Sequence, residues 1–154
     1  MKTLTIALLT VLTLSVIPKL SAHCEIPCGI YGDETRIKLL NEHIATIEKS
    51  MNEIVKLSKE KEINYNQLVR WINNKEDHAN KLQHIVTQYF MTQRIKPGQP
   101  EYVKKLTLLH EMLIYAMKSK QTTDLKNTEK LKSLVAEFAK IYLPKEHKHH
   151  HGEH

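Results

Sequence analysis

Lys and Arg outnumber Asp and Glu by 23 to 17 in a chain of 154 residues, a formal charge of +6, and this length leaves room for one domain. With only four Gly and five Pro, and with Lys, Glu, Leu and Ile frequent, the composition favours helix over sheet. The surplus of positive charge is too modest and too evenly interleaved with acids for a nucleic-acid surface, but it suits a small anionic partner.

The first segment stands apart from that domain. Lys2 precedes an unbroken run of apolar, Thr and Ser residues from Leu4 to Ile17, followed by Pro18 and the small residues Ser21 and Ala22. Residues 1–22 therefore read as a signal peptide cut after Ala22 by a signal peptidase, with export to the periplasm or the medium. The apolar run is too short for a comfortable bilayer span, and no later stretch reaches the roughly 20 apolar residues a transmembrane helix needs, so no membrane association is expected after processing. Loss of Lys2 and Lys19 with this segment leaves a charge of +4.

The cut makes His23 the amino terminus of a hook, residues 23–31. A terminal His offers its α-amine and its imidazole together, Cys24 adds a backbone amide and a thiolate, and Cys28 adds a second thiolate. Two nitrogens and two sulfurs in a plane suit Ni(II), thiolates stabilise Ni(III), and the imidazole is available as a fifth, axial donor. Binding deprotonates both thiols and the amide, so loading should depend on pH. Pro27 fixes a backbone dihedral where the hook turns back and removes an amide, and Gly29 lets the chain leave the metal without steric cost. Tyr31 is placed to stand near the open axial face, where a phenol can position a small anion. A different reading of Cys-x-x-x-Cys in an exported protein is a disulfide, although a loop this short would constrain almost nothing.

From Asp33, a capping residue, Ile37, Leu40, Ile44, Ile47, Met51 and Ile54 recur every three or four residues, predicting a helix from about 34 to 59. After a polar break at 60–64, Leu68, Ile72, Ala79, Leu82, Val86 and Tyr89 form the stripe of a second helix ending near Arg94, with Trp71, Ile85 and Phe90 beside it. The Pro/Gly-dense segment 95–100 is a turn. A third helix starts near Glu101 with Val103, Leu106, Leu109, Leu113 and Ala116 facing in. Residues 121–124 connect it to a fourth, marked by Leu125, Leu131, Leu134, Val135, Phe138 and Tyr142 and stopped by Pro144. The expected fold is all-α, a four-helix bundle over residues 32–144 with an N-terminal metal-binding hook. His43, His78, His84 and His110 lie in these helices at spacings that assemble no site by sequence alone, and Trp71 reads as core or subunit contact.

Residues 145–154 form a His-rich tail. His147, His149, His150, His151 and His154 could gather nickel or another borderline metal as an auxiliary capture site. A solvated tail or an appended tag is the plainer reading, though Lys148 and Gly152-Glu153 interrupt the run. Neither reading makes it catalytic.

The run His23-Cys24-Glu25-Ile26-Pro27-Cys28-Gly29-Ile30-Tyr31 closely resembles the N-terminal H-C-x-x-P-C-G-x-Y motif of the nickel superoxide dismutases. That resemblance implies one nickel per subunit held by the His23 amine and imidazole, the Cys24 amide and thiolate and the Cys28 thiolate, with Pro27 and Tyr31 at the substrate face. It also implies a four-helix subunit assembled as a homohexamer. The implied activity is conversion of superoxide to oxygen and hydrogen peroxide by Ni(III)/Ni(II) cycling, with His23, Cys24, Cys28 and Tyr31 as the catalytic set. Glu25 stands where the family often has Asp. The family also orients its axial imidazole with a Glu on the first helix and an Arg on the second. Here those places fall near Lys38 and His78, with Glu42 and Arg70 as stand-ins. Two other functions compete: an exported nickel- or copper-binding protein or metallochaperone without turnover, which would not need Pro27 or Tyr31, and a thiol oxidoreductase. The latter is disfavoured by a Cys spacing one residue too long and by the lack of a helix N-terminus at the thiols.

Overall fold

The computed structural model describes residues 32–143. The expected signal segment 1–22, the expected hook with His23, Cys24, Glu25, Pro27, Cys28, Gly29 and Tyr31, the expected stop at Pro144 and the tail histidines lie outside them. The described residues form four helices: α1 (Asp33–Leu57), α2 (Tyr65–His84, prolonged by a π-helical segment Ile85–Arg94), α3 (Tyr102–Gln121) and α4 (Lys126–Tyr142).

Cross-helix pairs fix an up-down-up-down order. His43 meets His78 and Asp33 meets Tyr89, so α1 and α2 are antiparallel. Gln83 reaches Leu113 O and Lys75 reaches Ser119 O, Lys104 pairs with Glu137 and Lys130 with Glu111, and Lys132 with Glu48 closes the ring back to α1. The apolar stripes of the sequence meet inside. Leu40, Ile44, Ile47 and Met51 of α1 are fully buried with Leu82, Val86 and Phe90, Leu109 and Met112, and Leu131, Val135 and Phe138. Phe90, Phe138 and Tyr142 stack edge-on or face-to-face with centroids 5.0–5.4 Å apart, which closes one end of the core.

Two stretches of the expected inward faces are on the surface. Val103 is 73% exposed, because the inner face of α3 is set by Leu108, Leu109, Met112 and Ala116, and Val103 falls on the opposite side of the first turn. Ile72 is 39% exposed and Leu68 is only half-buried. Here the reason is length: α3 ends at Gln121, opposite Lys75, so the first turns of α2 have only α1 to pack against.

Lys75 turns that mismatch into a contact. Its Nζ, on a side chain only 4% exposed with its residue, donates to Ser119 O (2.9 Å), to Lys120 O and to Thr122 O (3.4 Å). The first two are carbonyls of the last turn of α3, which lack partners within the helix and carry the negative end of its dipole, and the third belongs to its extended C-cap residue. Lys75→Met keeps the apolar stem and removes the donors. The expected result is a loss of about 2 kcal/mol in unfolding free energy, read as a lower urea midpoint at an unchanged slope.

The connection between α2 and α3 has the turn chemistry expected of its residues. Gly98 sits at φ 84°, a left-handed conformation that suits glycine, and Glu101 takes the same region at φ 57° just before α3 starts. Among the described residues no helix is long and apolar enough to cross a membrane.

Candidate functional site

The hook enters the bundle at Gly32, whose extended backbone (φ −68°, ψ 140°) serves as the N-cap of α1 without a side-chain cap. The next residue, Asp33, is the centre of a cluster drawn from three helices. Its carboxylate accepts a hydrogen bond from Tyr89 Oη at 2.6 Å and from Tyr142 Oη at 3.0 Å, and pairs with Arg94 Nε at 3.2 Å. Arg94 Nη2 in turn donates to Tyr89 Oη at 2.9 Å, and the guanidinium groups of Arg36 and Arg94 lie 5.0 and 4.8 Å from the Tyr89 ring centroid. A carboxylate in the first turn of α1 also complements the helix dipole.

The π-helical turn is what brings Arg94 and Tyr89 to this place. Its wider winding is seen in contacts five residues apart, Ile95 N to Phe90 O (2.9 Å), Thr92 Oγ1 to Thr87 O (2.7 Å) and Gln93 Nε2 to Gln88 O (2.8 Å). Widened turns of this kind recur at functional sites. Burial, reinforced by the hydrogen bond to Asp33, raises the pKa of both phenols above the ordinary tyrosine value, further for Tyr142 than for Tyr89. Both therefore stay neutral donors through neutral pH. The hydrogen bond to Tyr89 holds Arg94 more firmly protonated.

Beside the cluster lies an open groove of about 510 Å³ whose lining holds the cations Arg94, Lys96 and Lys105 against one carboxylate, Asp33. Lys105, mostly buried, donates to Pro100 O at 2.9 Å and lies 5.9 Å from the Tyr142 ring.

The other residues singled out from sequence are scattered. Lys38 and Glu42 are exposed on α1. Arg70 lines a second groove with Trp71, Lys49 and Asn74, farther along the bundle from Asp33. Trp71 is half-buried with Lys49 Nζ 5.7 Å from its ring. His110 is exposed, whereas His78 meets His43 across α1 and α2, a pairing that spacing along one helix could not reveal. The Asp33 cluster was also missed. The only sequence signals for it were an acid in the cap region and two tyrosines at the ends of stripes, each of which has an ordinary packing role.

Residues 18–147 match the family described as nickel-containing superoxide dismutase. That span covers the hook motif and all four helices. The chain belongs to the nickel-containing superoxide dismutase family. No curated protein and no solved structure matches it. As a nickel-containing superoxide dismutase it is an oxidoreductase that acts on superoxide and uses nickel. The donor types at residues 23–28 fit that metal, since they include an imidazole, backbone amides and two thiols that can ionise to thiolates. Among the described residues no group of three or more His, Cys, Asp or Glu side chains could hold a metal ion, so the bundle offers no rival centre of that size for this superoxide dismutase.

Proposed function

We propose that this superoxide dismutase carries its active centre in the hook, with His23 (α-amine and imidazole), Cys24 (amide and thiolate) and Cys28 (thiolate) holding nickel and Tyr31 at the substrate face. The observation that carries this reading is the coincidence of an H-C-x-x-P-C-G-x-Y run with a cleavage signal that leaves its histidine first. When bound, nickel supplies the one-electron exchange between Ni(III) and Ni(II) that dismutation needs. The chain's own part is to hold, shield and feed that centre.

Cys28 lies five residues before Asp33, so it can stand no more than about 18 Å from the bundle end where Asp33 gathers Tyr89, Arg94 and Tyr142. The basic groove at that end favours the approach of an anion such as superoxide. Tyr31, Pro27 and Gly29 shape the substrate face, and proton delivery to the departing peroxide falls to a ligand thiol, Tyr31 or water. We assign the protein to the periplasm or the medium after removal of residues 1–22. The family resemblance implies assembly as a homohexamer, and the apolar side chains that α2 leaves exposed, Tyr65 (69%), Val69 (51%) and Ile72, offer a surface for subunit contact. The tail histidines serve in metal capture and not in turnover.

The decisive experiment changes only the terminus. A chain beginning one residue ahead of His23 has its amine displaced from the ligand position, while Cys24 and Cys28 are untouched. Its nickel-loaded form is expected to consume superoxide at the uncatalysed background rate with an unchanged helical spectrum. Full turnover from that extended chain would exclude the terminal amine from the centre.

A further inference from the structure

Two imidazoles meet across the described bundle, His43 of α1 and His78 of α2. Their Nδ1 atoms are 3.1 Å apart, with ring centroids at 5.0 Å and planes inclined by 73°. Two nitrogens at that distance cannot both carry a proton, because the two N–H groups would point at each other. One ring must present a lone pair, and something positive must lie between the two. In the metal-free state that is the proton of one neutral imidazole, shared as a hydrogen bond.

A divalent cation fits the same gap. With metal–nitrogen bonds of about 2.05 Å, nitrogens 3.1 Å apart subtend about 98° at the ion, between the cis angle of a square or octahedral centre and the tetrahedral angle. Both rings are half-buried, leaving an open side for water ligands. No third protein ligand completes the set, since the described residues hold no cluster of three. The site would therefore be a two-histidine seat finished by water. We propose that His43 and His78 form a second metal site, bridging α1 and α2, that takes a divalent 3d cation such as Zn(II) or Ni(II).

The surroundings are compatible with that role. The charged groups acting on the pair are Glu42 on α1, and Asp77 and Lys81 on α2, so the local balance is one net negative charge before the metal arrives. Burial first, then at His43 the second ring, and at both residues Lys81, lower the imidazole pKa values, which keeps the rings neutral at physiological pH. Neutral imidazole is the ligand form. Binding replaces the shared Nδ1 proton by the cation and moves that proton to Nε2 of the same ring. No net proton is released, unlike loading of a thiolate centre.

The test uses the full chain carrying Cys24→Ser and Cys28→Ser, with Zn(II) added alone, followed by ¹⁵N signals of the imidazoles and by thermal unfolding. The expected result is that His43 and His78 signals shift together, saturate at one ion per chain and report Nε2–H tautomers. At about ten times the dissociation constant the melting temperature should rise by about 5 °C, because the ion ties two helices of the folded state together. His43→Gln and His78→Gln should each abolish that rise while leaving the metal-free helical spectrum in place. If either variant fails to fold, the signals of the unsubstituted pair still decide. Zn(II) bound only by tail or terminal residues, with the His43 and His78 signals unmoved, overturns the proposal. So does a pair whose signals respond to pH alone, which would make it a proton-sharing contact and nothing more.

Discussion

Cys24→Ser and Cys28→Ser should each reduce superoxide consumption to the uncatalysed rate, while helical content and the unfolding midpoint of the bundle remain those of the parent chain. Bundle and hook are two separable parts of the molecule. Among the described residues the core is built from the apolar stripes of α1 to α4, and neither thiol is expected to add to its packing. The proposed redox centre depends on both. Thiolate is a soft, anionic donor that brings the nickel couple into the range where one superoxide can reduce it and another can reoxidise it. A serine hydroxyl is harder, stays protonated near neutrality and would leave the metal too oxidising in its upper state to form. Pulse radiolysis of metal-loaded protein, with nickel counted per chain, separates loss of metal from loss of redox competence. Full turnover per nickel in either variant would remove that thiolate from the mechanism. A lower unfolding midpoint would mean that the hook packs on the bundle more tightly than this division of labour allows.

What could be read from the sequence, and what could not, follows from how far each feature extends along the chain. The four helices were legible because their stripes repeat every three or four residues over many turns, as in Leu40, Ile44, Ile47 and Met51. Those residues are fully buried. The family was legible because the motif that carries it sits in nine consecutive residues, 23–31. Periodicity failed where burial depends on the length of a neighbour, as at Ile72 beyond the end of α3, or on a phase fixed by the next turns, as at Val103. It also gave no hint of the ten-residue π-helical segment, since a helix that adds a residue per turn keeps much the same apolar content. His43 with His78 and Asp33 with Tyr89 and Tyr142 are separated by 35, 56 and 109 residues. Contacts of that kind arise from topology, and a single sequence does not print them. The family's second-helix position, placed near His78, illustrates the limit: the structure gives that residue a partner on α1, but one of a different chemical kind.

Asp33→Ala should be the most damaging single change at the bundle end that receives the hook. It removes the acceptor of two phenol hydrogen bonds and the partner of Arg94 in one step. Tyr142 and Tyr89 would keep their burial and lose their acceptor, and Arg94 would be left with the Tyr89 hydroxyl. Hydrogen bonds to a charged group exceed neutral ones in worth, yet the Asp33–Arg94 pair is partly open to solvent, at 36% and 27% side-chain exposure, which discounts its ionic share. The expected cost is about 2–3 kcal/mol, seen as a lower urea midpoint. A second reading distinguishes this cause from general loosening. Asp33 raises the pKa of both phenols on top of the larger effect of burial, so its loss should bring phenolate formation, followed in the ultraviolet, to lower pH. The sign for stability follows from the raised values. A phenol whose folded pKa lies above its unfolded one contributes stability that is complete below about pH 10 and fades as pH climbs through the folded value. The parent should thus lose stability at strongly alkaline pH more steeply than Asp33→Ala, and the two curves should converge there. If phenol titration is unmoved in the variant while stability falls, the carboxylate acts on the helix terminus and not through the tyrosines. If neither moves, the cluster does not hold the entry of the hook in place.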